Sequence, residues 1–207
     1  MYHFFVEPHQ IGAEEIRIEG ADVNHIRNVL RMKPGEEILI SSREGGDYFC
    51  RVEELEPEYV SAKILEEWEN KELPARIHLF QGLPKGDKME LIIQKAVELG
   101  AYRVVPVSMK RSVVKLDAKK ADAKRKRWNA VSESAAKQSK RSLIPEVAPL
   151  MTYKEAVKEA AGYDMVLLPY ESADGIRKTR ELLASVKPGT DIAVFIGPEG
   201  GFEVHSV

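Results

Sequence analysis

Through the first seventy or so residues, apolar and polar positions alternate in short runs: EEIRIEG, EEILISS, YFCRVEEL and YVSAKILEEW. A period of two places every second side chain on a common face, so each run predicts a half-buried strand, and the breaks at Pro34-Gly35 and Gly45-Gly46 predict turns. Together they predict a small antiparallel barrel or sandwich. Among these strands lies ADVNHIRNVLRMKPGE, in which Ile26, Val29, Leu30 and Met32 fall on one face of a short helix while Arg27 and Arg31 share another. Pro34-Gly35 ends it.

Around ENKELPAR the texture changes to longer runs in which strand and helix periods take turns, which predicts a domain boundary: residues 1–72, then 73–207. RIHLFQG predicts a strand, DKMELIIQKAVELG a helix closed by Gly100, and YRVVPV the next strand, a βαβ unit with a parallel sheet. A basic helix is expected from about Ala118 to Ser139, followed by DMVLLPY as a strand, GIRKTRELLASV as a helix and DIAVFIG as the last strand. The run Ile192–Ile196 is continuous and rich in branched side chains, as in a strand buried on both faces. The fold class is therefore α/β, with ligands expected in loops at the carboxyl ends of strands.

Composition changes this picture in two places. The net charge of -2 over 207 residues hides a segregation: EELEPEYVSAKILEEWENKE is acidic, whereas Lys110 to Arg141 holds twelve Lys/Arg against three Asp/Glu, with Trp128 among them. Such a run on a helix is either a solvated face or a surface for nucleic acid. Cys50 is the single cysteine, which excludes an internal disulfide and a cysteine-based zinc site and predicts an inert core thiol. No His/Cys/Asp cluster has metal-ligand spacing and no Ser-His-Asp constellation can be read, so no metal is expected. MYHFFVEPHQ has neither the basic start nor the apolar run of a signal peptide, and no segment reaches a membrane span, so a cytoplasmic location is expected.

The turn after the last strand, IGPEGGF, frees the backbone at Gly197, Gly200 and Gly201 to approach a ligand. It is not a phosphate loop, because Gly-x-x-x-x-Gly-Lys-Ser/Thr and an early Gly-x-Gly-x-x-Gly are both absent, and GLPKGDK lacks the spacing and the hydroxyl. From the residues alone it is either a tight turn or a ligand loop.

FIGPEGGF, taken with HIRNVLRMKPGE, QGLPKGDKMELIIQKAVELGA, RSVVK and RWNAVSESAAKQSKRSLIPEV, resembles the 16S rRNA uracil-N3 methyltransferases of the SPOUT superfamily. The resemblance runs from the N-terminus to Phe202. It implies an N-terminal PUA-like β-barrel, an α/β domain with a trefoil knot, S-adenosylmethionine as methyl donor, 16S rRNA or the small ribosomal subunit as partner, and a homodimer. The donor is then expected between the loops after two strands, against Leu167, Leu168, Pro169 and Glu171 on one side and Ile196, Gly197, Pro198, Gly200 and Gly201 on the other. Glu199 is expected either to orient donor or substrate or to cap a following helix, and Arg141 to contact RNA or the transition state, with a solvated charge as its alternative. Arg27, Arg31, Lys85, Lys88, Arg111, Lys124, Arg127 and Gln138 are the expected RNA contacts, whereas Lys95 and Glu98 belong to a helix surface or dimer face. The family's pattern continues with a motif resembling Leu-Gly-x-Arg-Ile-Leu-Arg-x-Glu-Thr-Ala that completes the knot. This sequence is expected to stop before that motif, leaving the second domain incomplete. A non-catalytic RNA-binding protein, or a SPOUT enzyme for another RNA position, are the alternatives.

Overall fold

The two-residue period does become a sheet. In the computed structural model, which describes residues 1–43, 46–70, 72–110, 112, 114, 116–169, 176–199 and 201 (176–178 as backbone), the first five strands are β1 (Tyr2–Val6), β2 (Glu15–Glu19), β3 (Glu37–Ser42), β4 (Asp47–Leu55) and β5 (Tyr59–Glu67). Their order is β1-β3-β4-β5-β2, antiparallel except for β1, which runs parallel to β3. Each strand sends two residues, at i and i+2, into one core: Phe4 and Val6, Ile16 and Ile18, Ile38 and Ile40, Cys50 and Val52, Val60 and Ala62. Each large apolar side chain buried there contributes about 1.5–3 kcal/mol. Cys50 has no exposed surface, and burial pushes its thiol up to about 12, which makes it inert.

One strand goes unread in the sequence and one local expectation fails, both for identifiable reasons. The strand β1 has no alternation to betray it, because four consecutive residues, His3 to Val6, are buried. The short helix α1 (Ala21–Asn24) passes into a wider π turn, His25–Val29, in which the Leu30 N–H donates to His25 O at 2.9 Å. The extra residue in that turn rotates Val29 outward to 61 % exposure, and Val23, Ile26 and Met32 cover the core instead. Arg31 follows the helix with φ 54°, in the left-handed region, so it does not share a helical face with Arg27.

By contacts the chain forms two compact units, residues 1–72 with 136–144, and 73–135 with 145–207. The second is built on β6 (Arg76–Gly82), α2 (Lys88–Glu98), β7 (Arg103–Ser108), α3 (Ala118–Ser139), β8 (Glu146–Val147), β9 (Met151–Thr152), α4 (Tyr153–Ala160), β10 (Met165–Leu167), α5 (Ile176–Ala184) and β11 (Asp191–Ile196). Helix α3 crosses from one unit to the other after Ala135. The sheet order is β10-β11-β6-β7-β8, with β9 also on β7, and every pairing is parallel. The strand expected over DMVLLPY is only three residues long, and Ile196 at the end of β11 is 38 % exposed, although Ile192, Ala193 and Phe195 are buried. On one face Phe80 and Phe195, direct neighbours across β6 and β11, stack at 4.6 Å among Val105, Val107, Ala156 and Ala160. Helix α2 buries Met89, Ile93 and Val97, one turn apart, and ends where Gly100 adopts φ 98°.

The amino end of the sheet is stapled by charge. Asp191 Oδ2 accepts from Arg76 Nη2 at 2.5 Å, and Asp191 Oδ1 is bonded to Arg76 Nε at 2.7 Å and His78 Nε2 at 2.9 Å. The Arg76 hydrogen bond above all, with that of His78, holds the carboxyl at about 2, below the usual carboxylate range. Because the folded-state value is the lower one, the staple is fully present above about pH 4 and is lost as pH falls toward 2. Asp191→Asn is therefore expected to lower stability at pH 7 by about 1 kcal/mol, the Arg76 side being largely solvated. Urea unfolding should show that difference shrinking steadily as pH falls from about 4 through about 2, and a difference that stays undiminished over that range would contradict this origin.

Candidate functional site

Because β10, β11 and β6 are adjacent and parallel, the segments that leave their carboxyl ends emerge at one edge of the sheet. Leu167 is half-buried, Leu168 packs against the Phe80–Phe195 cluster, Pro169 is exposed, and Ile196 is partly open. After β11 the chain turns tightly: the Gly201 N–H donates to Pro198 O at 2.7 Å and Gly201 takes φ 67°. Pro198 is buried against the end of β6, where a Cβ on Gly82 would lie 2.7 Å from Pro198 Cδ and 2.8 Å from Pro198 N. Gly82 is thus required by close approach rather than by φ, which the sequence hinted at only as a glycine ending an apolar strand. Glu171, Gly200 and Arg111 lie outside the described residues.

The Glu199 carboxylate reaches back to the β6–α2 loop, where the Lys85 N–H donates to Oε1 at 3.1 Å and Oε2 at 3.3 Å and the Lys88 ammonium to Oε1 at 2.9 Å. The Lys88 hydrogen bond above all, with backbone N–H donors after it, holds this carboxyl at about 2. A group so acidic is ionised throughout the neutral range.

Arg141 is neither a solvated charge nor a bare cation. It is 8 % exposed, and its guanidinium grips Glu72 through Nε at 2.9 Å to both oxygens and through Nη2, while the Ser142 and Leu143 N–H groups donate to the same carboxylate at 2.8 and 3.3 Å. Nothing in the sequence separates Glu72 from its acidic neighbours. Gln138 is exposed near the end of α3, and Arg27 is half-buried in the π turn.

The basic face of α3 is largely paired. Lys124 meets Asp87 at 3.7 Å, Arg127 Nε meets Glu90 at 2.7 Å, Lys126 meets Asp122 at 3.0 Å and Arg125 meets Glu146 at 2.9 Å. Trp128 is 4 % exposed, a core residue in line with Ser132 and Ala135, so it offers no stacking surface to a base. Lys95 and Glu98 pair with each other on α2 at 2.7 Å, as an ordinary helix surface does. His3, Ser41 and Asp47 do meet, but Ser41 donates to Asp47, His3 is bonded to Ser41 at 2.8 Å, and all three are buried. Burial first, and then Lys137 and Lys140, hold His3 down to about 4, so this trio is a neutral-His structural link and not a nucleophile. Among the described residues no group of His, Cys, Asp and Glu could hold a metal ion, and no helix is long and apolar enough to cross a membrane.

A family model described as an RNA methyltransferase domain matches residues 71–206, and one described as an RNA methyltransferase PUA domain matches residues 18–65. The ribosomal RNA small subunit methyltransferase E of Bacillus subtilis is 37 % identical over 209 residues, which span 97 % of this chain and 81 % of that protein. The chain belongs to the ribosomal RNA small subunit methyltransferase E family. Among solved structures, the methyltransferase E of Neisseria gonorrhoeae bound to S-adenosyl methionine shares 29 % identity at a TM-score of 0.78, covering 100 % of this chain and 83 % of that one. A putative methyltransferase from Legionella pneumophila with bound cofactor SAM shares 27 % identity at a TM-score of 0.79, covering 99 % and 83 %. The methyltransferase E architecture, a mixed α/β fold with a PUA-like N-terminal domain, is thus the one the resemblance implied.

Two substitutions test this geometry. Gly82→Ala must push the Pro198 turn aside, which is expected to cost about 1–3 kcal/mol and to expose the Gly201 amide to exchange; a fully protected Gly201 amide in that variant would contradict the contact. Glu72→Ala removes the carboxylate that the buried Arg141 grips, an expected loss of about 3–5 kcal/mol in urea unfolding, whereas replacing both by apolar residues should recover much of it. Equal losses in the single and double variants would contradict the pairing.

Proposed function

We propose that this protein transfers a methyl group from S-adenosylmethionine to N3 of a specific uridine in 16S rRNA, residues 1–72 acting as a PUA-like RNA-binding barrel and 73–207 as the methyltransferase domain. The observation that carries the proposal is the 37 % identity over 97 % of the chain to a ribosomal RNA small subunit methyltransferase E. The residues present suit such a donor. Leu167, Leu168 and Ile196 offer apolar surface at the sheet edge, Gly197, Pro198 and Gly201 offer main-chain groups in a fixed turn, and a Cβ at Gly201 would meet nothing within 4 Å. Pro169, and Glu171 and Gly200 outside the described residues, complete the proposed donor set. A trefoil knot through this region and a homodimer belong to the same proposal.

When bound, the donor supplies an electrophilic methyl on a sulfonium sulfur. The protein has to do three other things. It must hold a uracil out of its stack, since N3 is hidden in a Watson-Crick pair. It must align N3 with the methyl, which supplies much of the rate. It must also stabilise the anion that forms as the N3 proton passes to solvent water, for which Lys85 and Lys88 beside the turn are the proposed cations. Arg27 and Arg31 on the barrel, Lys124, Arg127 and Gln138 on α3, and Arg111 outside the described residues, are proposed to hold the RNA backbone. Arg141, tied to Glu72, acts in this proposal by fixing the end of α3 and Ser142–Leu143 in place.

Incubation of small-subunit RNA or subunits with labelled S-adenosylmethionine, followed by nucleoside mass analysis, tests the proposal. N3-methyluridine is the expected product. A ribose-methylated nucleoside, methylation of another base, or RNA binding with no affinity for the donor would contradict it.

A further inference from the structure

The Glu199 clamp joins two segments that leave neighbouring strands. Pro198 is seated on Gly82, the last residue of β6. One residue further along the turn, Glu199 holds the Lys85 N–H and the Lys88 ammonium. Leu83 is in turn fixed by its N–H to Val107 O at 3.0 Å, and Lys88 is the first residue of α2. The 83–88 loop is therefore gripped at its start by Pro198 and at its middle and end by Glu199. Gly86, with φ 63°, lets the chain bend between the gripped positions.

We propose that Glu199 is a positioning residue, whose carboxylate fastens the 197–201 turn to the 83–88 loop so that donor-facing backbone and the Lys85/Lys88 cations move as one piece, and that no proton passes through it. This rests on the donor site proposed above. A proton acceptor in neutral solution works best with a pKa near the working pH, and the cation and two N–H groups around this carboxylate favour its ionised form far too strongly for that. What the arrangement does favour is fixed geometry: loops that carry a reacting site have to be held within about 0.5 Å of the productive arrangement by supporting hydrogen bonds. Partial solvent exposure of Lys88 makes the ion pair the weaker element, and the backbone bond from Lys85 the one that sets the loop's shape.

The test combines calorimetric donor binding, steady-state kinetics and amide exchange on the full chain. Glu199→Gln keeps an acceptor for the Lys85 N–H, so donor Kd should rise only about 2- to 5-fold, with the shape of the kcat–pH profile unchanged. Glu199→Ala removes both bonds, and Kd should rise roughly tenfold while KM for RNA changes less. In donor Kd, Lys88→Met should match Glu199→Gln, and the double variant should bind donor no worse than the poorer single one, because both break the same pair; kcat is expected to fall further in Lys88→Met, which also removes a proposed cation. The Lys85 amide should be protected in the wild type and exchange freely in Glu199→Ala.

A hundredfold or greater loss of kcat in Glu199→Gln with donor Kd unchanged and the acid limb of the pH profile gone would make Glu199 the base and overturn the proposal. Additive effects of Glu199→Gln and Lys88→Met, or an unprotected Lys85 amide in the wild type, would overturn it equally. A wild type that does not bind the donor would sink the donor site instead, and the Lys85 amide would still decide whether the clamp exists.

Discussion

Six in-register parallel pairs between Asp191–Ile196 and Arg76–Gln81 hold the second unit together across 115 positions of sequence. The strand β11 lies between β10 and β6, so without it the sheet would fall into two pieces. Closing so long a loop costs chain entropy that only contacts made after closure can offset. The stacked Phe80–Phe195 pair and the buried Ile192 and Ala193 supply much of that. Everything at the carboxyl edge inherits its position from this one pairing, because the segments after β6, β10 and β11 are anchored to strands whose relative register is fixed.

The ends of β11 are treated alike by the chemistry. At the amino end Asp191 is held at about 2 by Arg76 and His78, and just beyond the carboxyl end Glu199 is held at about 2 by Lys88 and backbone N–H groups. Two carboxylates ionised throughout the neutral range, each matched to cations on or just after β6, lock the central strand pair at both ends. In the proposed enzyme this leaves catalysis to alignment and to the positive charge beside the turn, not to proton traffic through the turn itself. The pairing of Lys124, Arg125, Lys126 and Arg127 with acidic partners likewise makes α3 a fastened strut before it is an RNA surface.

Much of the fold was legible where period and burial coincide. The i, i+2 pair of β2 was readable because the other face of that strand is wet, and Cys50 fell in the core as expected. The strand β1 was silent because burial on both faces erases alternation, and Val29 was placed wrongly because a π turn changes the angular step that the helical period assumes. Trp128 looked like part of a nucleic-acid surface because its neighbours in sequence are charged, yet a helix turns a single residue inward every turn. At the candidate site the turn and its apolar flank were visible in IGPEGGF, but the partners of Glu199 and Arg141 were not. Lys88 and Glu72 lie 111 and 69 positions away from them, and only the folded chain brings them together.

The most direct measurement of the central idea, that one sheet edge gathers the donor-binding backbone, is the change in backbone amide NMR shifts as S-adenosylmethionine is added to the full chain. Saturable shifts concentrated at Leu167 and Leu168, Ile196 to Gly201, and Leu83 to Lys88 are predicted, with the β2 to β5 strands and the middle of α3 unmoved. Shifts centred on the N-terminal sheet or on α3, or binding that leaves those three segments unperturbed, would contradict it.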